Sequence, residues 1–233
     1  MANRTESFVF GEYYHIYNRG NTKQNIFMDN KDRDRFVKLL YLCNSLKNIK
    51  FKEYIVDRKI DAWDFDKGES VVSIGAWVLM PNHFHLYITP NKEGRIDDPI
   101  PFFIKKLCTA YSMYFNKKHK RTGKLFEGHF KSTHIDSDRY AKYIFSYIHL
   151  NPIKLIDPLW KDGGLKNIKN GTDFLDEFRW SSYHDYRNKK RSENAIITPE
   201  DFPDYFSGKR IFDKEIFEWL NYKNSSLNPK VAP

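Results

Sequence analysis

Hydrophobic and polar positions along the 233-residue chain fall into runs of period two and runs of period three to four. Phe8 to Asn18, rich in Phe, Tyr, Val and Ile and closed by Asn18-Arg19-Gly20-Asn21, reads as a first strand. A helix follows, capped by Asp29 or Asn30 and running to about Lys47. Its apolar positions Phe36, Leu39, Leu40, Cys43 and Leu46 recur at three and four. Phe51 to Val56 reads as a short strand before a polar loop. Val71 to Leu79 and His83 to Thr89 are two strands joined by a tight turn at Met80-Pro81-Asn82, since proline is disfavoured inside a central strand. Asn91 to Pro101 forms a loop. A second helix runs to about Lys118, with Phe103, Leu107, Ala110, Tyr111 and Tyr114 on one face. A basic turn then leads to a fourth strand, Lys124 to Ile135. Asp136 or Ser137 caps a third helix that Pro152 stops near Asn151.

The order β-α-β-β-α-β followed by a helix predicts an α+β fold. It is the ferredoxin-like or RRM-like antiparallel sheet with helices on one face, plus the third helix. Residues 1–160 are expected to form this domain, and 161–233 a C-terminal extension, mostly helical or irregular. In the extension, Trp180-Ser181-Ser182-Tyr183 suggests a short helix start and Phe212 to Leu220 a last helix.

Lys and Arg number 39 against 30 Asp and Glu, a net charge of +9, which favours a polyanionic partner such as nucleic acid. Cys43 and Cys108 have no metal or redox spacing and read as buried thiols in a reducing compartment. Met1 to Ser7 lacks the apolar core of a signal peptide, and no run reaches the length of a membrane span. A cytoplasmic location without membrane contact is therefore expected. Asp64-Phe65-Asp66-Lys67-Gly68 resembles the start of a calcium loop, but position twelve would be Gly75 rather than a carboxylate.

The chemistry concentrates at Met80-Pro81-Asn82-His83-Phe84-His85. Side chains alternate along a strand, so His83 and His85 share a face and Phe84 takes the other. Two imidazoles side by side can clamp a divalent metal and leave positions open, although many such pairs on sheet faces hold none. On the third helix Tyr147 and Asn151, four apart, lie one above the other. A phenol and a carboxamide so placed can supply a nucleophile and a hard oxygen ligand for Mg²⁺ or Mn²⁺. The bland alternative is a core tyrosine and a helix-terminal asparagine. Tyr143, four residues before Tyr147, is an alternative nucleophile.

Trp77-Val78-Leu79-Met80-Pro81-Asn82-His83-Phe84-His85 followed by Tyr147-Ile148-His149-Leu150-Asn151-Pro152 resembles the single-tyrosine HUH transposases, in particular the REP-associated tyrosine transposases. Supporting segments are Tyr17-Asn18-Arg19-Gly20-Asn21, Gly123-Lys124-Leu125-Phe126-Glu127-Gly128-His129-Phe130-Lys131-Ser132, and Trp180-Ser181-Ser182-Tyr183, so the likeness spans about Tyr13 to Tyr183. The resemblance implies metal-dependent cutting and rejoining of single-stranded DNA at hairpin-forming or palindromic ends, through a 5′-phosphotyrosine, by a protein that is often a dimer. It implies His83 and His85 as metal ligands with Asn151 as the third, and Tyr147 as nucleophile. The chain departs from the family at His129 and Lys154, where Arg is more usual.

Two other functions are compatible with parts of the pattern. A non-catalytic single-strand or hairpin binder would use the RRM-like sheet but has no need of the His, Tyr and Asn set. A metal-independent histidine phosphoesterase would need a further histidine where Tyr87 stands. Expected DNA contacts are Arg19, Lys105, Lys106, Lys117, Lys118, Lys120, Arg121 and Lys131, taken as a group.

Overall fold

A computed structural model describes residues 8–91, 96–204 and 208–221. Met1 to Ser7, and part of the loop expected from Asn91 to Pro101, lie outside the described residues. Four strands, β1 (Tyr13–Arg19), β2 (Val72–Met80), β3 (His83–Pro90) and β4 (Lys131–Ile135), form one sheet in the order β2-β3-β1-β4. Every neighbouring pair is antiparallel. Helix α1 (Asn30–Cys43) follows β1, α2 (Pro99–Lys118) follows β3 and α3 (Asp138–Leu150) follows β4. The chain is thus a mixed α and β protein with an antiparallel sheet.

Period-two alternation gives the sheet two buried faces. Tyr14, Ile16, Ile74, Trp77, Leu79, Phe84, Leu86 and Ile88 join one core with α1 and α2. Ala76, Val78, Met80 and Tyr87 join a second core with Ile144, Phe145 and Ile148 of α3. The register shift between Ile74 and Ala76 leaves Gly75 as the bulge and keeps the alternation correct on both sides of it. A side chain at Gly75 would meet the Phe202 ring at 2.9 Å, so the close approach requires glycine. Helices therefore cover both faces, with α3 and the helices that follow it opposite α1 and α2.

Several expected boundaries move for local reasons. β1 starts at Tyr13 rather than Phe8, because Gly11 takes a φ of +83° and turns the chain first. α1 is capped by the Asp29 carboxylate, which accepts from Asp32 N–H, and ends at Cys43 rather than Lys47. There the Asn44 side chain leaves the helix axis to accept from Val71 and Val72 N–H and donate to the Val72 carbonyl. The short strand expected at Phe51 to Val56 is instead a π-helical turn, Lys52–Val56, whose Ile55 packs on Leu42 and Ala62. The fourth strand spans Lys131–Ile135 only. Gly123 and Gly128, at φ +85° and +66°, break the preceding segment, which makes a single bridge from Phe126 to Gly20. α2 begins at Pro99, where a missing N–H costs the helix nothing.

Beyond α3 lie a 3₁₀ turn (Asn151–Leu155) and helices α4 (Trp160–Gly163), α5 (Ile168–Glu177), α6 (Tyr183–Tyr186) and α7 (Lys209–Asn221). Leu175, Tyr183, Phe212, Ile216 and Leu220 from this extension enter the α3 core. Cys43 and Cys108 are free thiols, the first buried and the second partly so, and burial raises both pKa values. Among the described residues no helix is long and apolar enough to cross a membrane.

Phe84 is fully buried between Phe36 and Phe126, while its neighbours His83 and His85 face the other way. Phe84→Ala is expected to cost about 3–5 kcal/mol in urea unfolding; a loss under about 1 kcal/mol would contradict the packing described.

Candidate active site

The site forms where β3 and β1 cross under α3. Asn82 to His83 begins β3, and the turn before it is held by backbone bonds from Gly20 N–H to the Asn82 carbonyl (2.8 Å) and Ile26 N–H to the Pro81 carbonyl (2.9 Å). Chain entry into β3 is thus fixed by the segment that follows β1. Register sets Arg19 opposite His83 and Tyr17 opposite His85.

His83 Nδ1 lies 2.6 Å from Asn82 Oδ1, an atom that only accepts, so the proton is on Nδ1 and Nε2 carries a lone pair. His85 Nδ1 lies 2.9 Å from Nε2 of His15, a fully buried residue of β1. In the tautomer in which His85 donates from Nδ1 to His15, its Nε2 is also a lone pair. His15 orients His85 in the way that outer partners orient metal-ligating imidazoles. His83 and His85 ring centroids are 4.9 Å apart.

α3 lays Tyr147 over this pair, its ring centroid 5.3 Å from that of His85 and 6.1 Å from that of His15. Asn151 is fully buried at the end of the helix, where Pro152 turns the chain into the 3₁₀ segment. Among the described residues His83 Nε2 and His85 Nε2 are buried and make no hydrogen bond, and the buried Tyr147 hydroxyl and Asn151 amide have no partner but each other. Native interiors rarely leave polar atoms unpaired, so a concentration of them marks a place for a ligand. Two imidazole lone pairs and a carboxamide oxygen suit a divalent cation with hard and borderline preferences. Among the described residues no group of three His, Cys, Asp or Glu side chains is arranged to hold a metal, so a third protein ligand would have to be of another kind.

Burial keeps the imidazoles neutral: it lowers His15 to about 3 and His83 to about 4, the latter helped by Lys154 and Arg19. His85 lies well below its usual value, again from burial first and then from its charged neighbours. Burial also raises the Tyr147 phenol to about 12, with the adjacent Asn151 amide pulling the other way. Lys161 Nζ sits 3.9 Å from the Tyr147 ring centroid and Lys154 Nζ 5.8 Å. These cations lie against the ring, while burial is the largest influence on the hydroxyl.

Tyr143 stacks on Tyr147 at 6.1 Å but points to a different place. With Tyr140 and Trp219 it lines a cavity of about 660 Å³ between β4, α3 and α7. Of the two tyrosines, Tyr147 is the one against His85.

The expected DNA contacts divide by location. Arg19 stands beside His83 and pairs with the Glu127 carboxylate; Lys131 is exposed, with Nζ 5.9 Å from the Tyr17 ring centroid. Lys105 and Lys106 belong to α2, across the sheet from the histidines, and Lys106 donates to the Ser45 and Lys47 carbonyls. In the basic turn, Lys117 and Lys120 are exposed, whereas Lys118 is held by Asp29 and Asp32. Arg121 donates to the Lys124 carbonyl. His129, one of the two departures from the family pattern, is exposed.

His15 and Lys161 were not foreseen from the sequence as site residues. Alternation along β1 does put His15 on the Tyr17 and Arg19 face, but only the β1–β3 register brings it to His85. Nothing local marks Lys161.

No protein-family model matches the chain, and no curated protein matches it. Among solved structures it is similar to a REP-associated tyrosine transposase bound to a REP hairpin, with 14% identity, a TM-score of 0.48, and coverage of 87% of this chain and 92% of the other. It is also similar to a protein of Deinococcus radiodurans R1 provisionally described as a transposase, with 15% identity, a TM-score of 0.33, and coverage of 63% and 95%.

The buried neutral histidines carry a pH signature. His15 and His149 titrate near 3 when folded and near 6.5 when unfolded, so between those values the unfolded chain binds more protons. Stability is full above about pH 6.5 and falls as the pH drops, by up to ~1.4 kcal/mol per unit for each such histidine. The urea midpoint should be lower at pH 5 than at pH 7, with a shallower fall in His149→Gln. A flat profile would show that these imidazoles are not held neutral.

Proposed function

We propose that this protein cuts and rejoins single-stranded DNA by transesterification, with Tyr147 as nucleophile and His83, His85 and Asn151 holding Mg²⁺ or Mn²⁺. The observation that carries this reading is the pair of unpartnered buried nitrogens, His83 Nε2 and His85 Nε2, beside a Tyr147 hydroxyl and an Asn151 amide that have only each other. A module that only binds nucleic acid gains nothing from burying two such nitrogens without partners, each at a cost of roughly 1–3 kcal/mol. Strand order β2-β3-β1-β4 with all pairs antiparallel supports the ferredoxin-like assignment for the sheet.

In this mechanism the Tyr147 oxygen attacks the scissile phosphorus, the bond to the 3′ oxygen breaks, and the proton lost by the phenol is balanced by the one the departing 3′ oxygen takes up. A 5′-phosphotyrosine and a 3′-hydroxyl result, and the conserved bond energy allows the reverse attack by another 3′ end. Arg19, Lys154 and Lys161 converge on the phosphate position and offset its charge. A bound divalent ion supplies Lewis-acid polarisation of the phosphoryl oxygens. His15 keeps His85 in the tautomer whose Nε2 can coordinate. Among the described residues no Asp or Glu is hydrogen-bonded to either histidine, which fits a tyrosine rather than an activated water as nucleophile. The substrate class we infer is a strand bearing hairpin-forming or palindromic repeats, as the sequence resemblance implies, handled by a monomer or a homodimer.

A labelled hairpin-bearing strand with Mn²⁺ should give a covalent protein–DNA adduct. Tyr147→Phe should abolish it and Tyr143→Phe should retain it. The reverse pattern would reassign the nucleophile, and an adduct surviving both changes would end the proposal. Neutralising Lys117 and Lys120 together should lower the slope of log affinity against log salt by about 1.4, at roughly 0.7 per lost contact on a single strand. An unchanged slope would remove the basic turn from the interface.

A further inference from the structure

Trp180-Ser181-Ser182-Tyr183 and His149 have no part in the chemistry above, yet they meet in the interior. His149, Ser181 and Ser182 are fully buried. His149 Nδ1 lies 2.9 Å from the Phe145 carbonyl oxygen one turn earlier; a carbonyl only accepts, so Nδ1 carries the proton. Nε2, 2.8 Å from the Ser182 hydroxyl, therefore accepts from it. The same hydroxyl accepts from Trp77 N–H at 3.0 Å. Ser182 N–H in turn donates to the Trp77 carbonyl and Leu79 N–H to the Trp180 carbonyl, both at 2.9 Å, and Val78 bridges Ser181. The 180–182 segment thus lies along the outer edge of β2 as a fifth strand-like layer.

The position of this connection in the chain gives it meaning. His149 falls two residues after Tyr147 and two before Asn151. Val78, between the two bonded residues Trp77 and Leu79, is the register partner of His85. Apart from a hydrogen bond between Tyr140 in its first turn and Thr133 of β4, α3 elsewhere meets the sheet through apolar contacts of Ala76, Val78, Met80, Ile144 and Ile148, which set distance but tolerate sliding and rotation at its far end. Hydrogen bonds between buried groups fix direction as well, and are costly to leave unmade.

We propose that His149 and Ser182 are positioning residues. They form a buried latch that sets the last turn of α3 along and about its axis, so that Tyr147 and Asn151 face His83 and His85. This rests on the transesterase reading and assigns the C-terminal extension a part in it. Residues 180–182 of the extension then support catalysis without touching DNA.

The test is single-turnover adduct formation with Mn²⁺ at saturating hairpin DNA, where amplitude counts competent molecules and the rate constant reports on each of them. Ser182→Ala should lower the rate constant on the order of 10- to 100-fold, the loss expected for displacement of a nucleophile by a fraction of an ångström to an ångström. DNA affinity, read by fluorescence anisotropy, should be unchanged. His149→Gln retains an acceptor for the Ser182 hydroxyl and should recover part of the rate that His149→Phe loses. This second comparison stands on its own if Ser182→Ala does not fold. A parent-like rate constant with only a lower amplitude or melting temperature would make the pair simple packing and overturn the proposal. Failure of the parent protein to form any adduct would instead refute the transesterase reading, and the latch with it.

Discussion

Everything in this molecule depends on β3 being buried on both faces while carrying polar side chains on one of them. A strand with apolar cores on either side reads as a continuous hydrophobic run; here Phe84, Leu86 and Ile88 satisfy one core, while His83 and His85 interrupt the other. Burying imidazoles costs free energy unless they are paired or bind something. The fold answers half of that demand internally, through Asn82 for His83 and His15 for His85, and leaves the second nitrogen of each ring unanswered. α3 then closes the space with Tyr147 and Asn151 rather than with aliphatic residues.

The same constraint explains the electrostatics. A pocket dry enough to hold histidines neutral is also dry enough to hold a phenol protonated, despite lysines beside its ring. Rings and cations are brought close by packing, but the hydroxyl itself sees mostly apolar surroundings.

Much of this was legible in the sequence because it rests on local rules. Alternation placed His83 and His85 on one face, helical spacing aligned Tyr147 with Asn151, and Pro81 and Pro152 marked the breaks. What was not legible depends on register and on distant chain. His15 becomes part of the site only because β1 pairs with β3 in one register and not in the neighbouring one. The segment at Lys52–Val56 has β-branched and aromatic residues but no strand to pair with, so helical burial of Ile55 prevails. The long fourth strand fails at two glycines whose positive φ no sequence period announces. Ser182 and His149 are ordinary polar residues until the extension folds back on β2.

That return also has a consequence for how the sheet meets other chains. β2 is a nine-residue, wholly buried and hydrophobic edge strand, the kind of surface that templates strand addition by a neighbour. Residues 180–182 occupy the backbone groups of Trp77 and Leu79, and Thr198 N–H and the Tyr186 hydroxyl donate to the Ile74 and Gly75 carbonyls, leaving β4 at the opposite edge, which is five residues long and opens with an exposed lysine. The extension therefore doubles as a guard for solubility. A fragment ending before residue 180 would keep every strand and both histidines but present a bare, adhesive edge.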